Sequence, residues 1–144
     1  MSKLNSVRTA QPLLTCDIAI DLVNDTYTAA DGTVKPLNLG TDSKGTALVT
    51  LPRGSRILGG SVFTSQAVVD TATKVAVRLF DPLSNTSYFN ADDVKSAGNR
   101  PMAGNDLVQN GQPVQISVTG QKITAGKLLV NIQFMIAGRA DYVM

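Results

Sequence analysis

The stretch that decides the fold of this chain is LPRGSRILGGSVFTSQAVVDTATKVAVRLF, residues 51–80. Pro52 and Gly54 predict a turn at its start, and a long β-rich run follows that turn. In residues 74–80 the side chains alternate with a period of two, as in a strand with one buried face. Because the polar residues 70–73 separate the two runs, the stretch predicts a hairpin.

The first of these two strands contains a pair of glycines, Gly59 and Gly60. Glycine weakens a strand, so inside one it marks a bulge, a bend or a close approach of another backbone. We expect the long strand to bend here across a corner of the fold.

Three further runs alternate in the same way, at residues 15–23, 114–118 and 127–136. The last is the longest alternating run, and we expect it to be the central strand. A strand at residues 34–39 is interrupted by Pro36 and should lie at an edge.

The sequence therefore predicts seven or eight short strands separated by turns, and it shows no helical period. This pattern predicts an all-β fold, an antiparallel jelly-roll-like sandwich or barrel, with a single β domain over residues 15–144. Residues 90–106 form a long loop in this prediction, with one helical turn at 91–97 and an irregular remainder. Loops of that length tend to be functional.

Residues 1–14 are polar and aperiodic, and we interpret them as an extended N-terminal arm. Fully stretched, such an arm reaches up to ~45 Å. The alternative is a frayed terminus, which is the common state of a first dozen residues.

Composition argues against several classes of function. The net charge is only +2 and the cations are scattered, so nucleic acid is not an expected partner. No run of ~18 apolar residues predicts a membrane span, and no apolar core of a secretion signal stands at the N-terminus. Cys16 is the single cysteine, which rules out an internal disulfide and suggests a small core side chain. We expect synthesis in the cytoplasm.

Catalytic motifs are missing from the sequence. It has no histidine, so it offers neither a Ser-His-Asp nor a Cys-His pair, nor a His/Cys zinc set. Neither a phosphate-binding loop nor a dinucleotide-binding glycine motif occurs. Asp92 and Asp93 stand side by side in a polar loop, whereas paired catalytic carboxylates need a cleft. We predict a protein that is not an enzyme and has no cofactor.

Two motifs give the chain a family resemblance. Residues 51–60 follow the pattern Leu-Pro-x-Gly-x-x-x-x-Gly-Gly, and the turn Thr124-Ala125-Gly126 leads into the last strand. In these features the chain resembles small structural proteins of tailed bacteriophages. It is most similar to the capsid cement, or decoration, proteins of short-tailed phages, such as that of a Bordetella phage. The resemblance covers residues 51–136.

The resemblance implies a jelly-roll-like structural protein of the virion that is made in the host bacterial cytoplasm. It would bind the major capsid protein on the outside of an icosahedral shell and stabilise that shell. The alternative, from a different class, is a tail or fibre β-sandwich that binds a receptor or a carbohydrate.

We also expect a homo-oligomer, a dimer rather than a trimer, because two-fold dimers are the commonest closed assemblies and sheet edges need covering. The arm and the long loop supply the candidate partner-binding residues. These are Lys3, Leu4, Val7, Arg8, Leu13, Leu14, Arg100 and Met102.

Overall fold

The structure is a computed structural model that describes residues 13–29, 31–42, 44–105 and 107–136. These residues form ten strands and one short 3-10 helix at Leu37–Leu39. The strands are β1 Leu14–Asp21, β2 Thr26–Thr28, β3 Val34–Pro36, β4 Thr46–Thr50, β5 Ser55–Asp70, β6 Ala76–Phe80, β7 Ser87–Ala91, β8 Gly98–Met102, β9 Pro113–Thr119 and β10 Ile123–Ile136.

The strands form two four-stranded sheets and one small hairpin. The first sheet has the order β1-β10-β5-β8, the second has the order β4-β9-β6-β7, and β2 pairs with β3. Every pairing is antiparallel. Both large sheets are open, with two edges each, so the predicted all-β antiparallel fold is confirmed as a sandwich rather than a closed barrel.

The hydrophobic core lies between the two sheets. Strand β10 supplies Val130 and Ile132, and the second sheet supplies Val77 and Val118; all four side chains are 0% exposed. Burying such side chains is the main stabilising contribution to a fold of this kind. Since β10 pairs with β1 on one side and with β5 on the other, the prediction of a central last strand is confirmed.

The predicted hairpin of residues 51–80 is wrong. Strand β5 pairs with β10 and β8 in the first sheet, whereas β6 pairs with β7 and β9 in the second. The polar segment between β5 and β6 is therefore a crossover from one sheet to the other. A turn signal in the sequence reports that the chain changes direction, and it carries no information about which sheet the chain enters next.

The glycine pair lies at a close approach of two strands and beside a bulge, whereas the bend across a corner of the fold stays a prediction. Gly60 has φ +141°, and a Cβ there would lie 2.0 Å from the backbone oxygen of Asn131 in β10. The β5–β10 register shifts beside it, so that Leu58 is an extra residue on β5. Gly60 thus permits the two longest strands to approach closely, and a bulge stands next to it.

The long loop is shorter than predicted. Residues 98–102 form β8, which pairs with β5 at the edge of the first sheet, and residues 91–97 contain no helical turn. Pro101 concealed this strand in the sequence, although proline is tolerated in edge strands. Residues 34–39 form a strand only as far as Pro36, beyond which the short 3-10 helix follows.

The carboxylate of Asp70 holds together the turn between β9 and β10. It accepts hydrogen bonds from the backbone N–H groups of Lys122 (2.6 Å), Gln121 (2.9 Å) and Ala72 (3.3 Å). Partial burial acts to raise the pKa of Asp70, but these hydrogen bonds to the charged form outweigh it and lower the pKa below its ordinary value.

Replacing Asp70 by Asn is expected to lower the free energy of unfolding at pH 7 by about 1 kcal/mol, because an amide NH₂ cannot accept from backbone N–H groups. An aspartate in the unfolded chain has a pKa near 3.9, and Asp70 in the folded chain has a lower one. The extra free energy of unfolding of the wild type over Asp70→Asn is therefore fully present well above pH 3.9. It is lost as the pH falls through the folded pKa. Urea unfolding of both proteins from pH 7 to pH 2 measures the difference; a gap that widened on acidification would contradict the prediction.

Candidate functional site

Two carboxylates of the described residues, those of Asp70 and Asp93, accept hydrogen bonds from the backbone of turns and loops. Asp93 Oδ1 accepts from the backbone N–H groups of Val75 (3.2 Å) and Lys95 (3.1 Å). Burial acts to raise the pKa of Asp93, and these hydrogen bonds overcome it and lower the pKa. Within the described ranges no three His, Cys, Asp or Glu side chains cluster as metal ligands would. The same ranges hold no helix long and apolar enough to cross a membrane.

Half of the predicted partner-binding residues, namely Lys3, Leu4, Val7 and Arg8, lie outside the described residues. Leu13 is described, and its side chain is 48% exposed. Leu14 is not part of a free arm, because it begins β1 and pairs with Phe134 of β10. A segment able to reach a neighbour would therefore end before β1.

Arg100 and Met102 both lie on β8, where they contact their own domain. Met102 is 5% exposed and belongs to the hydrophobic core, so its side chain does not face a partner in the folded chain. Arg100 Nη1 donates to Thr64 Oγ1 (2.9 Å) and Nη2 donates to the Ser96 carbonyl (3.0 Å). Thr64 is fully buried and in turn donates to the Val94 carbonyl (2.9 Å). Arg100 thus fastens the 92–97 segment to β5.

Apolar side chains form a row across the outer face of the first sheet, which sequence reasoning missed. Leu129 of β10 stands opposite Ala19 of β1 on one side and opposite Phe63 of β5 on the other. Phe63 is 39% exposed and Leu129 is 38% exposed. Alternation places each of these residues on the outer face of its own strand, but only the pairing register brings the three together.

An apolar cleft opens where the edge of the first sheet meets the edge of the second. It has a volume of about 470 Å³. Ile18 of β1 and Leu48 of β4 line it from the two sheets, and Tyr27 and Val34 line it from the small hairpin. The lining contains no cluster of charged groups that would suggest catalysis.

Comparison with known proteins gives a likeness in fold. No protein-family model and no curated protein matches the chain. A chain from the acid-stable capsid structure of the Helicobacter pylori bacteriophage KHP30 is 14% identical, with a TM-score of 0.58. The match covers 87% of this chain and 88% of that one. A chain from the capsid asymmetric unit of cyanophage Pam1 is 19% identical, with a TM-score of 0.50, and the match covers 87% and 84% of the two chains.

Proposed function

We propose that this protein is a structural component of a bacteriophage capsid and acts as a cement, or decoration, protein. In this role it binds the major capsid protein on the outside of the shell and stabilises the assembled particle. The observation that carries the proposal is the likeness in fold to chains of two phage capsids over 87% of this chain. Independently of this likeness, the motifs of residues 51–60 and 124–126 resemble those of phage structural proteins, and that resemblance is what points to the cement role.

A cement role requires no chemistry, and the turn-capping carboxylates of Asp70 and Asp93 agree with this. Binding only to the assembled shell stabilises that state by mass action. Several weak contacts suffice when one protein bridges neighbouring subunits, because the first contact raises the effective concentration of the second. The exposed row of Ala19, Leu129 and Phe63 offers one apolar surface for such contacts.

The alternative of a tail or fibre module that binds a receptor or a carbohydrate has less support. Carbohydrate sites commonly present exposed aromatic rings, and among the described aromatic side chains only Phe63 is exposed. The buried aromatic residues are Tyr27, Phe80, Tyr88, Phe89 and Phe134. A glycan array would favour the alternative if it returned specific binding.

Deletion of residues 1–12 is expected to weaken binding to capsids while leaving the melting temperature almost unchanged. The deletion ends before β1 and so removes no described strand, whereas an end at residue 14 would remove the Leu14–Phe134 pair. Segments that become ordered on binding contribute little per contact, so we expect a loss of about tenfold in affinity.

The measurement is co-pelleting of full-length and truncated protein with capsids that lack the protein, together with thermal melts. Failure of the full-length protein to pellet would overturn the cement role. Equal pelleting of both proteins would remove the N-terminal segment from the capsid contact, and a much lower melting temperature of the truncated protein would assign that segment to its own domain.

A further inference from the structure

Strand β1 has one edge with which no described strand pairs. The Leu22 N–H donates to the Gly126 carbonyl (3.1 Å), in the register that also pairs β1 with β10. In an antiparallel pair, alternate residues direct their main-chain groups to the partner strand, and those between direct them outwards. The residues whose N–H and C=O groups point away from β10 are therefore Thr15, Asp17, Ala19 and Asp21.

Only the last of these outward residues has its main-chain groups bonded to another described residue. The Asp21 N–H donates to Asp25 Oδ2 (2.8 Å), and the Asp25 N–H donates to the Asp21 carbonyl (3.0 Å). Among the described residues, no group bonds to the outward main-chain groups of Thr15, Asp17 or Ala19. Such a row of free donors and acceptors is a template for another strand.

The other three edges are each protected, unlike β1. All three edge strands, β4, β7 and β8, have five residues, whereas β1 has eight. Strand β8 contains Pro101, β4 bulges at Leu48 and β7 bulges at Tyr88. Prolines, bulges and short length are the devices that keep sheet edges from pairing. Strand β1 pairs with β10 without a register shift and contains neither proline nor lysine.

We propose that β1 pairs with β1 of a second copy of this chain, antiparallel and around a two-fold axis at Cys16. The two first sheets then become one continuous sheet with four strands from each copy. A two-fold interface uses the same surface twice, and an antiparallel pair of identical strands meets that condition. This inference concerns the protein alone and does not depend on the capsid role.

Charge and hydrogen bonding select the register. An axis at Asp17 would place two carboxylates directly opposite each other, which is unfavourable. An axis at Ile18 would set Thr15 against Asp21, whose outward groups are already bonded to Asp25. An axis at Cys16 sets Thr15 against Asp17 and uses every free outward group.

The same register also matches the apolar side chains. Leu13, which is 48% exposed, comes opposite Ala19 of the second copy on the outer face. On the inner face, Leu14 comes opposite Ile18 of the second copy, at the cleft between the sheets. The pairing therefore covers exposed apolar surface as well as the main-chain groups.

The native cysteine tests the axis directly. In this register Cys16 faces Cys16 of the second copy in a pair without hydrogen bonds, where Cα atoms lie about 4.5 Å apart, within the range of a disulfide. Oxidation of the full-length protein with copper–phenanthroline in air is expected to yield a disulfide-linked dimer.

Sedimentation velocity of the reduced protein is expected to give a dimer of the 15.2 kDa chain. A monomer or a trimer would overturn the proposal.

Relocated cysteines distinguish this register from its rivals. In the Cys16→Ser background, Leu14→Cys and Ile18→Cys proteins are each expected to remain uncrosslinked alone and to crosslink when mixed. Crosslinking of Ile18→Cys with itself would indicate the axis at Ile18 and would overturn the proposed register. When Ile18→Cys in this background is mixed with wild-type protein, a crosslink between the introduced cysteine and Cys16 of the wild-type chain would indicate the axis at Asp17.

A variant that cannot pair along the free edge of β1 distinguishes crosslinking within a β1–β1 pair from crosslinking by random collision. Ala19→Pro removes an N–H that faces away from β10, so the sandwich itself keeps its hydrogen bonds. The crosslinking yield is expected to fall by about tenfold or more, while Ala19→Val, which keeps the N–H, crosslinks like the wild type. Equal crosslinking of Ala19→Pro and wild type would overturn the proposal. Should Ala19→Pro fail to fold, the mixed-cysteine experiment decides the matter.

Discussion

Replacing Ile132 by Asp is expected to remove a large part of the free energy of unfolding of this protein. Ile132 is 0% exposed and lies on β10, the strand that pairs with both β1 and β5. A carboxylate there has no partner and loses its hydration, and the cavity left by the smaller side chain adds to the cost. Together these effects cost about 4 kcal/mol or more. A domain is stable by only about 5–15 kcal/mol.

The matched control is Gln133→Asp, one position along the same strand. Gln133 faces the opposite side of the sheet, where its side chain is half-buried. We expect a change of about 1 kcal/mol or less there. Circular dichroism melts should then place Ile132→Asp at least about 10 °C below the wild type, or show no folded baseline, and Gln133→Asp within a few degrees. Equal melting temperatures for Ile132→Asp and wild type would contradict the burial of this side chain.

Replacing Gly60 by Ala is expected to have the second large effect. Its φ of +141° is strained for any residue with a side chain, and the new Cβ would lie 2.0 Å from the Asn131 oxygen. Relief of that contact requires β10 to move away from β5, which disturbs the most extensive strand pairing in the fold. We expect a loss of about 3 kcal/mol or more.

Gly98 supplies the control for the backbone strain alone. Its φ is +142°, and a Cβ there would meet nothing within 4 Å. Gly98→Ala therefore carries the strain without the collision, and we expect it to cost about 1 kcal/mol. Urea unfolding of both variants measures the difference between them. Similar losses at the two positions would mean that the close approach of β5 and β10 contributes little.

The candidate partner residues show which structural properties can be predicted from local sequence patterns and which cannot. Alternation in residues 127–136 predicted the buried face of β10, since a buried face imposes a period of two on any strand, but the strand begins four residues earlier, at Ile123. It could not show that Met102 is buried, because the proline at 101 and the neighbouring glycines hide the strand that carries it. The row of Leu129, Ala19 and Phe63 was also invisible, since its members come from three distant parts of the chain.

The sequence by itself determined the all-β class and the central strand, and it marked the glycine pair at 59–60 as an irregular position in a strand. These properties depend on single residues or on one strand, and the chemistry of a short segment is enough to specify them. Only the tertiary structure decided that β5 and β6 enter different sheets, that residues 98–102 form an edge strand and that β1 leaves its outer groups free. Each of these depends on hydrogen bonds between strands far apart in the chain, and a strand's own residues do not specify its partner.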